Sequence, residues 1–209
     1  MRLKTPFLFA GVLACALPFT TVAQECLAIK SVPVSHIDID AVRGTWLSWV
    51  NGERAKLGLK PYTLNEHLNA TASNWSTFSV ARGTIDHRRK AGAAYYDFNG
   101  IGKWFASKGL SFEKSGGKTF VENIGWGVYD CDSADCTKEL ITSIRSTFDF
   151  FLSEKGKVSD AHYRSLMSPQ YTSIGVGVAE SGRQGRYYLT VHYATEIAED
   201  TAPLCTAAR

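Results

Sequence analysis

Beyond its first two dozen residues the chain has no long apolar run, and no later stretch approaches the ~20 residues that a membrane-spanning helix needs. It also lacks an excess of one charge: the net value is +3 over 209 residues, and no block of like charge stands out. Nothing therefore steers it toward nucleic acid or marks a charged binding tail. Several chemical signatures are missing as well. There is no Gly-x-Ser-x-Gly elbow and no phosphate-cradling glycine loop. Asn65-Glu66-His67 lacks the second histidine of the helical zinc-protease motif, so that motif is excluded. No internal repeat or low-complexity tract is visible.

What is present fits one globular domain with a full core, at 44% hydrophobic and 21% charged residues. Residues 1–23 read as a signal peptide. Arg2 and Lys4 give a basic start, Pro6 to Pro18 is apolar, and Thr21-Val22-Ala23 offers small residues for cleavage. Val12-Leu13-Ala14-Cys15 loosely resembles a lipoprotein signal, but leucine before the small residue fits poorly, so ordinary export is preferred. Export places the mature chain outside the cytoplasm, secreted or periplasmic. Removing Cys15 leaves Cys26, Cys131, Cys136 and Cys205, an even count suited to disulfides. Of the three possible pairings, Cys131–Cys136 with Cys26–Cys205 is favoured. On a chain-entropy argument the short loop contributes about 2 kcal/mol and the long one about 5. A Cys-x4-Cys metal clip is the alternative, but no second cysteine or histidine pair stands near it.

Residues 24–37 form an N-terminal arm, and 38–209 are read as a single domain. Asp38 and Asp40 suit a helix start, and Val42, Trp46, Trp49, Val50 and Leu57 recur at threes and fours up to Gly58. Asn65 caps a second helix reaching about Ala81, with Leu68, Ala72 and Trp75 inward and Gly83 closing it. A short helix is expected over Asn99–Leu110. Thr119 to Gly127 alternates as a strand, with Phe120, Glu122, Ile124 and Trp126 on one face. A long helix follows from Thr137. Tyr171–Ala179 and Arg186–Ala194 form a terminal hairpin in which Ser173, Gly175 and Gly177 make a small-residue face that lets a helix or a partner chain come close. The order of elements favours an α+β fold, an antiparallel sheet covered by helices on both faces.

The stretch from Phe148 to Val178 concentrates the chemistry. Glu154 ends an apolar helix, and Asp160 opens a second one carrying His162, eight residues beyond Glu154. Among the other histidines, His192 reads as a sheet-face residue beside Thr190, His67 as exposed, and His36 as part of the arm. Ser76 sits mid-helix without an activating turn and makes a poor nucleophile. Asn69-Ala70-Thr71 and Asn74-Trp75-Ser76 fit a glycosylation pattern but fall inside a predicted helix.

The chain resembles the CAP superfamily, or SCP-like extracellular domain, in its bacterial branch. The matching pieces are Asn51-Gly52-Glu53-Arg54 with Leu57-Gly58-Leu59-Lys60-Pro61, then Leu68 to Ser76, Asp86-His87, Glu122-Asn123-Ile124, Glu154, His162-Tyr163-Arg164 and Tyr171 to Val178. The resemblance implies a three-layer α-β-α sandwich with a cleft lined by His87, Glu122, Glu154 and His162. About 34 residues separate His87 from Glu122, more than in compact members, so the segment Tyr95 to Gly117 is expected to supply part of a cleft wall. Arg164 follows the bacterial His-x-Arg pattern.

Two imidazoles and a carboxylate can hold Zn2+ or another divalent cation with an open water position, so His87 and His162 are the expected metal ligands. A carboxylate on the other ring nitrogen would fix the tautomer. Glu122, on an apolar strand face, must be protonated or paired, and a metal or His87 would serve. The alternative is a purely structural histidine–glutamate cluster. Three functions follow: an exported module binding a metal, small ligand, lipid or peptide; a hydrolase of peptide or cell-wall material with Glu122 or Glu154 as general base; and a protein-interaction scaffold. The binding module is favoured.

Overall fold

A computed structural model describes residues 36–113, 119–182, 185–198, 201 and 204. The signal segment 1–23, the arm up to residue 35 and the Cys26–Cys205 pairing lie outside the described residues. The Cys131–Cys136 disulfide is present, with 5.7 Å between Cα atoms.

The described residues alternate helix and strand: α1 (Ile39–Lys56), β1 (Thr63–Leu64), α2 (Glu66–Arg82), α3 (Phe98–Ser107), β2 (Phe120–Tyr129), α4 (Thr137–Ser153), α5 (Ala161–Leu166), β3 (Ser173–Glu180) and β4 (Gly185–Ala194). Their ends follow local chemistry. The Asp38 carboxylate accepts from the Asp40 and Ala41 amides to cap α1, and Asn65 accepts from Leu68 to cap α2. Gly83, with φ 71°, closes α2 in the left-handed region that favours glycine. The short helix α3 stops three residues before the expected Leu110, because Gly109 turns left-handed there. Leu57, expected on the buried face, is the α1 C-cap and stands exposed.

The strands form one sheet in the order β1-β3-β4-β2, antiparallel except for the β1–β3 pair. Strand β1 has two residues, too short to show a period that the sequence could reveal. The other strands match the alternation in the sequence. On one face, Ile174, Val176, Leu189, Val191 and Tyr193 pack with Val42, Trp46 and Val50 of α1 and Leu140, Ile144, Phe148 and Phe151 of α4. Trp46 meets Phe148 edge-on at 5.2 Å. On the other face, Leu68 of α2 and Ile101 and Phe105 of α3 close over Phe120 and Ala194. The result is an α-β-α sandwich.

Helix α2 fits onto β3 because of two glycines. A Cβ on Gly175 would stand 2.0 Å from the Leu68 carbonyl carbon, and one on Gly177 2.1 Å from that of Ala72. The small-residue face therefore takes a helix. That contact also buries Ser76, whose hydroxyl lies 2.9 Å from the Gly177 carbonyl and 3.0 Å from Thr190 Oγ1, so it serves packing. Asn69 is buried too, accepting from the Val176 amide at 2.9 Å, which removes it as a glycosylation site. His67 is half-buried rather than exposed.

Candidate functional site

Sheet register creates the first half of the site. Glu122 of β2 lies directly across from His192 of β4, which lies across from Gly175 of β3. All three face the α2–α3 layer, where no water reaches the Glu122 carboxylate. Helix α2 then delivers the loop that carries His87. Asp86 pins this loop, since its carbonyl accepts from Trp75 Nε1 at 3.1 Å and its carboxylate contacts Arg82 at 2.7 Å and the Arg88 amide at 2.9 Å. His87 follows, with its ring between Tyr95 and Tyr96.

Four charge-assisted contacts converge on Glu122. His87 Nδ1 reaches Oε1 at 2.8 Å, and His192 Nε2 reaches Oε2 at 2.8 Å. Arg89 adds a two-pronged contact, Nη1 to Oε1 at 3.0 Å and Nη2 to Oε2 at 2.5 Å. Burial opposes ionisation of Glu122, but the Arg89 guanidinium and the bonds from His192, His87 and Arg89 overcome it and hold the carboxyl well below the usual carboxylate range. As an anion with about four lone-pair directions, Glu122 is fully used by these donors. Burial pushes His192 down against the pull of Glu122, so its ring is neutral, and its Nδ1 lies 3.0 Å from the Thr71 hydroxyl. Arg89 is clamped in turn, its guanidinium 3.5 Å from the Trp75 ring centre and 4.4 Å from that of Trp104.

The second half is local. Glu154 is the C-cap of α4, and six residues later the chain turns into α5. Glu154 Oε1 lies 2.7 Å from His162 Nδ1, and Oε2 accepts from the His162 amide at 3.0 Å. The imidazole stacks on Phe151 at 4.2 Å with 9° between planes. One carboxylate thus fixes both the backbone and the ring of His162.

The halves meet in a cleft of about 320 Å3 whose lining includes His87, Tyr96, Glu122, Asn123, His162 and Arg164. Three of the four residues expected from the sequence line it. Glu154 stands behind His162 and anchors it. Tyr96 belongs to the segment expected to supply a wall, and its hydroxyl accepts from the Glu122 amide at 2.9 Å; burial pushes this phenol up. Two members of the cluster escape a reading of the sequence. Arg89 sits in an Arg88-Arg89-Lys90 run that looks solvated, and only its spacing of two from His87 hints otherwise. His192 is the sheet-face residue its strand implies, but its partner depends on strand register.

The donor set differs in one respect from two imidazoles and a carboxylate. Both carboxylates are engaged, and among the described residues no group of three or more His, Cys, Asp or Glu is arranged to hold a metal. Two histidines, His87 and His162, line the cleft. Each is bonded through Nδ1 to a carboxylate, the arrangement that leaves Nε2 as the ligand atom. Among the described residues no helix is long and apolar enough to cross a membrane.

Comparison with known proteins agrees with this architecture. The model of the CAP, or cysteine-rich secretory protein, family matches residues 47–193. The YkwD protein of Bacillus subtilis is 25% identical over 160 residues, 77% of this chain, which spans about half (50%) of that curated relative's length. An outer surface protein from Borrelia burgdorferi superposes with a TM-score of 0.54 at 15% identity, covering 77% of this chain and 96% of the other. An SCP-domain extracellular protein from Bacillus anthracis gives 0.53 at 14% identity, covering 75% and 41%. These two share the fold. With the family model matched over most of its length, the chain belongs to the cysteine-rich secretory protein (CAP) family.

Proposed function

We propose that the protein is an exported binding module whose cleft accepts a small ligand, with a divalent cation such as Zn2+ held between His87 and His162. One observation carries this reading: two imidazoles line the same cleft, and each is fixed through Nδ1 by a carboxylate, at 2.8 Å from Glu122 and 2.7 Å from Glu154. Because Glu122 is ionised, the His87 nitrogen facing it carries a proton, and in the neutral ring that tautomer places the lone pair on Nε2. The Glu154 contact at Nδ1 favours the same tautomer in His162. Bound there, a cation would supply open coordination positions for water or a ligand donor.

The remaining residues divide the labour. Glu122, Arg89 and His192 fasten the His87 loop to the sheet, a structural task. Tyr96, Asn123 and Arg164 shape the cleft wall. Neither carboxylate has the freedom a general base needs, which weighs against the hydrolase alternative.

The test is zinc titration calorimetry on metal-stripped protein, together with elemental analysis of the protein as purified. Wild type should bind zinc, and His162→Ala and His87→Ala should each lose that binding while keeping the wild-type circular dichroism spectrum. Equal zinc affinity in wild type and His162→Ala would remove His162 from the site.

A further inference from the structure

The edge of the sheet nearest the cleft has an unused side. Among the described residues strand β2 pairs only with β4, so one flank of it is free. The ladder register identifies which groups point outward. Thr195 donates to the Thr119 carbonyl at 2.9 Å, so alternation turns residues 121, 123, 125 and 127 toward β4 and Glu122, Ile124, Trp126 and Val128 away from it. Two contacts agree: the Glu122 amide donates to the Tyr96 hydroxyl at 2.9 Å, and Ser143 Oγ donates to the Val128 carbonyl at 2.6 Å. Between these caps, among the described residues, no side chain or loop bonds to the outward N–H and C=O of Ile124 and Trp126.

A groove of about 490 Å3 runs along this stretch between β2 and α4. Trp126, Val128, Phe150 and Tyr95 line it, all of them large apolar or aromatic residues left exposed, with Ser146 on the α4 side. His162 lines both this groove and the histidine cleft, so the two meet at its ring. The same strand passes from one to the other: Glu122 and Asn123 line the cleft, Ile124 to Val128 the groove.

We propose that the free edge of β2 and its groove bind an extended peptide that ends in a free carboxylate at the His162 cleft. An extended chain satisfies both features of the groove, pairing its amides with the open edge while alternate apolar side chains pack against Trp126 and Phe150. A hydrocarbon chain would cover the same surface but leave the Ile124 and Trp126 backbone groups unpaired, at the cost of desolvating them. The Tyr96 hydroxyl occupies the Glu122 amide, so this position offers a ligand strand no donor, and the proposed chain ends where β2 enters the cleft. There Glu122 and Glu154 are engaged, while Arg164, held through Nε to Asp160 Oδ1 at 2.8 Å, keeps the rest of an exposed guanidinium to meet a carboxylate. The placing of the carboxylate rests on the ligand-binding reading of the cleft; the strand pairing does not.

The experiment uses immobilised protein and two random eight-residue peptide libraries, one with free carboxyl ends and one amidated, with retained peptides sequenced by mass spectrometry. Trp126→Pro removes an outward amide at an edge position that tolerates proline, and Ser146→Trp fills the groove from an exposed helix position. Both variants are checked by circular dichroism and melting. Wild type should enrich peptides with apolar residues at alternate positions about tenfold over either variant, and free acids about tenfold over amides. Arg164→Met should abolish the acid preference and leave the apolar enrichment. Equal retention by wild type and a folded Ser146→Trp overturns the pairing, and equal retention of acids and amides overturns the placing of the terminus. Dodecanoate bound by wild type and lost in Ser146→Trp, with no peptide enrichment, assigns the groove to hydrocarbon and also overturns the proposal. Zinc binding lost in His162→Ala alongside failed peptide retention leaves the cleft reading intact, so the two failures are distinguishable.

Discussion

Replacing Arg89 with methionine tests the electrostatic account of the cluster most directly. Methionine keeps an apolar stem between Trp75 and Trp104 but removes the guanidinium that makes two contacts to Glu122 and one, at 2.9 Å, to the His87 carbonyl. The carboxylate left behind is fully enclosed and keeps only the two imidazole donors. Breaking a buried ion pair in this way costs about 3–5 kcal/mol, because the abandoned charge has no solvent to turn to. The loss should depend on pH, and its sign follows from linkage. In wild type the Glu122 carboxyl is depressed below its ordinary value of 4.5, so its stabilisation is present above that pH and is lost as pH falls toward the folded value. In the variant burial dominates and raises the carboxyl, so acid relieves the uncompensated charge. The stability gap between the two proteins should therefore be widest at pH 7 and narrow toward pH 4. Urea unfolding followed by tryptophan fluorescence, with the disulfide intact, measures both. A loss below about 1 kcal/mol at pH 7, the range of an exposed pair, would refute the reasoning, as would a gap independent of pH. The double variant Arg89→Met/Glu122→Gln should be less destabilised than the sum of the singles by roughly 2 kcal/mol, the coupling expected of groups in contact.

Other outcomes follow from the same geometry. Gly177→Ala places a methyl 2.1 Å from the Ala72 carbonyl carbon and should cost about 1–3 kcal/mol or more in thermal or urea unfolding, since backbone rather than a flexible side chain must move. Glu154→Gln should weaken zinc binding about 10–100-fold by calorimetry through loss of the carboxylate that orients His162, and an unchanged affinity would separate Glu154 from the site. The neutral, buried His192 should make wild-type stability fall as pH drops below 6.5, where the unfolded ring takes up a proton and the folded one resists it; His192→Gln should flatten that part of the profile.

Much of this architecture is legible without coordinates because it is written in short-range periods. Spacings of three and four mark α1 and α4, alternation puts Glu122 and Ile124 on one face of β2, and the run Ser173, Gly175, Gly177 announces a close approach. Glu154 and His162 are also readable together, as neighbours across one helix–turn–helix step. Strand β1 escapes because two residues show no period, and its pairing is set by β3, more than a hundred positions away.

The sequence by itself determined the elements other than β1, most of their buried faces, and His87, Glu122, Glu154 and His162 as residues able to do chemistry, because local periods mark the first two and short motifs the last. Tertiary structure decided which charge Glu122 meets, since Arg89 and His192 reach it only through strand register and the loop after α2. It also decided that His87 and His162 share a cleft, and that the strand lining it continues along a groove where, among the described residues, its outer edge has no partner strand. Those are relations between distant segments, created when burial forces the helices onto both faces of the sheet, and no local pattern encodes them.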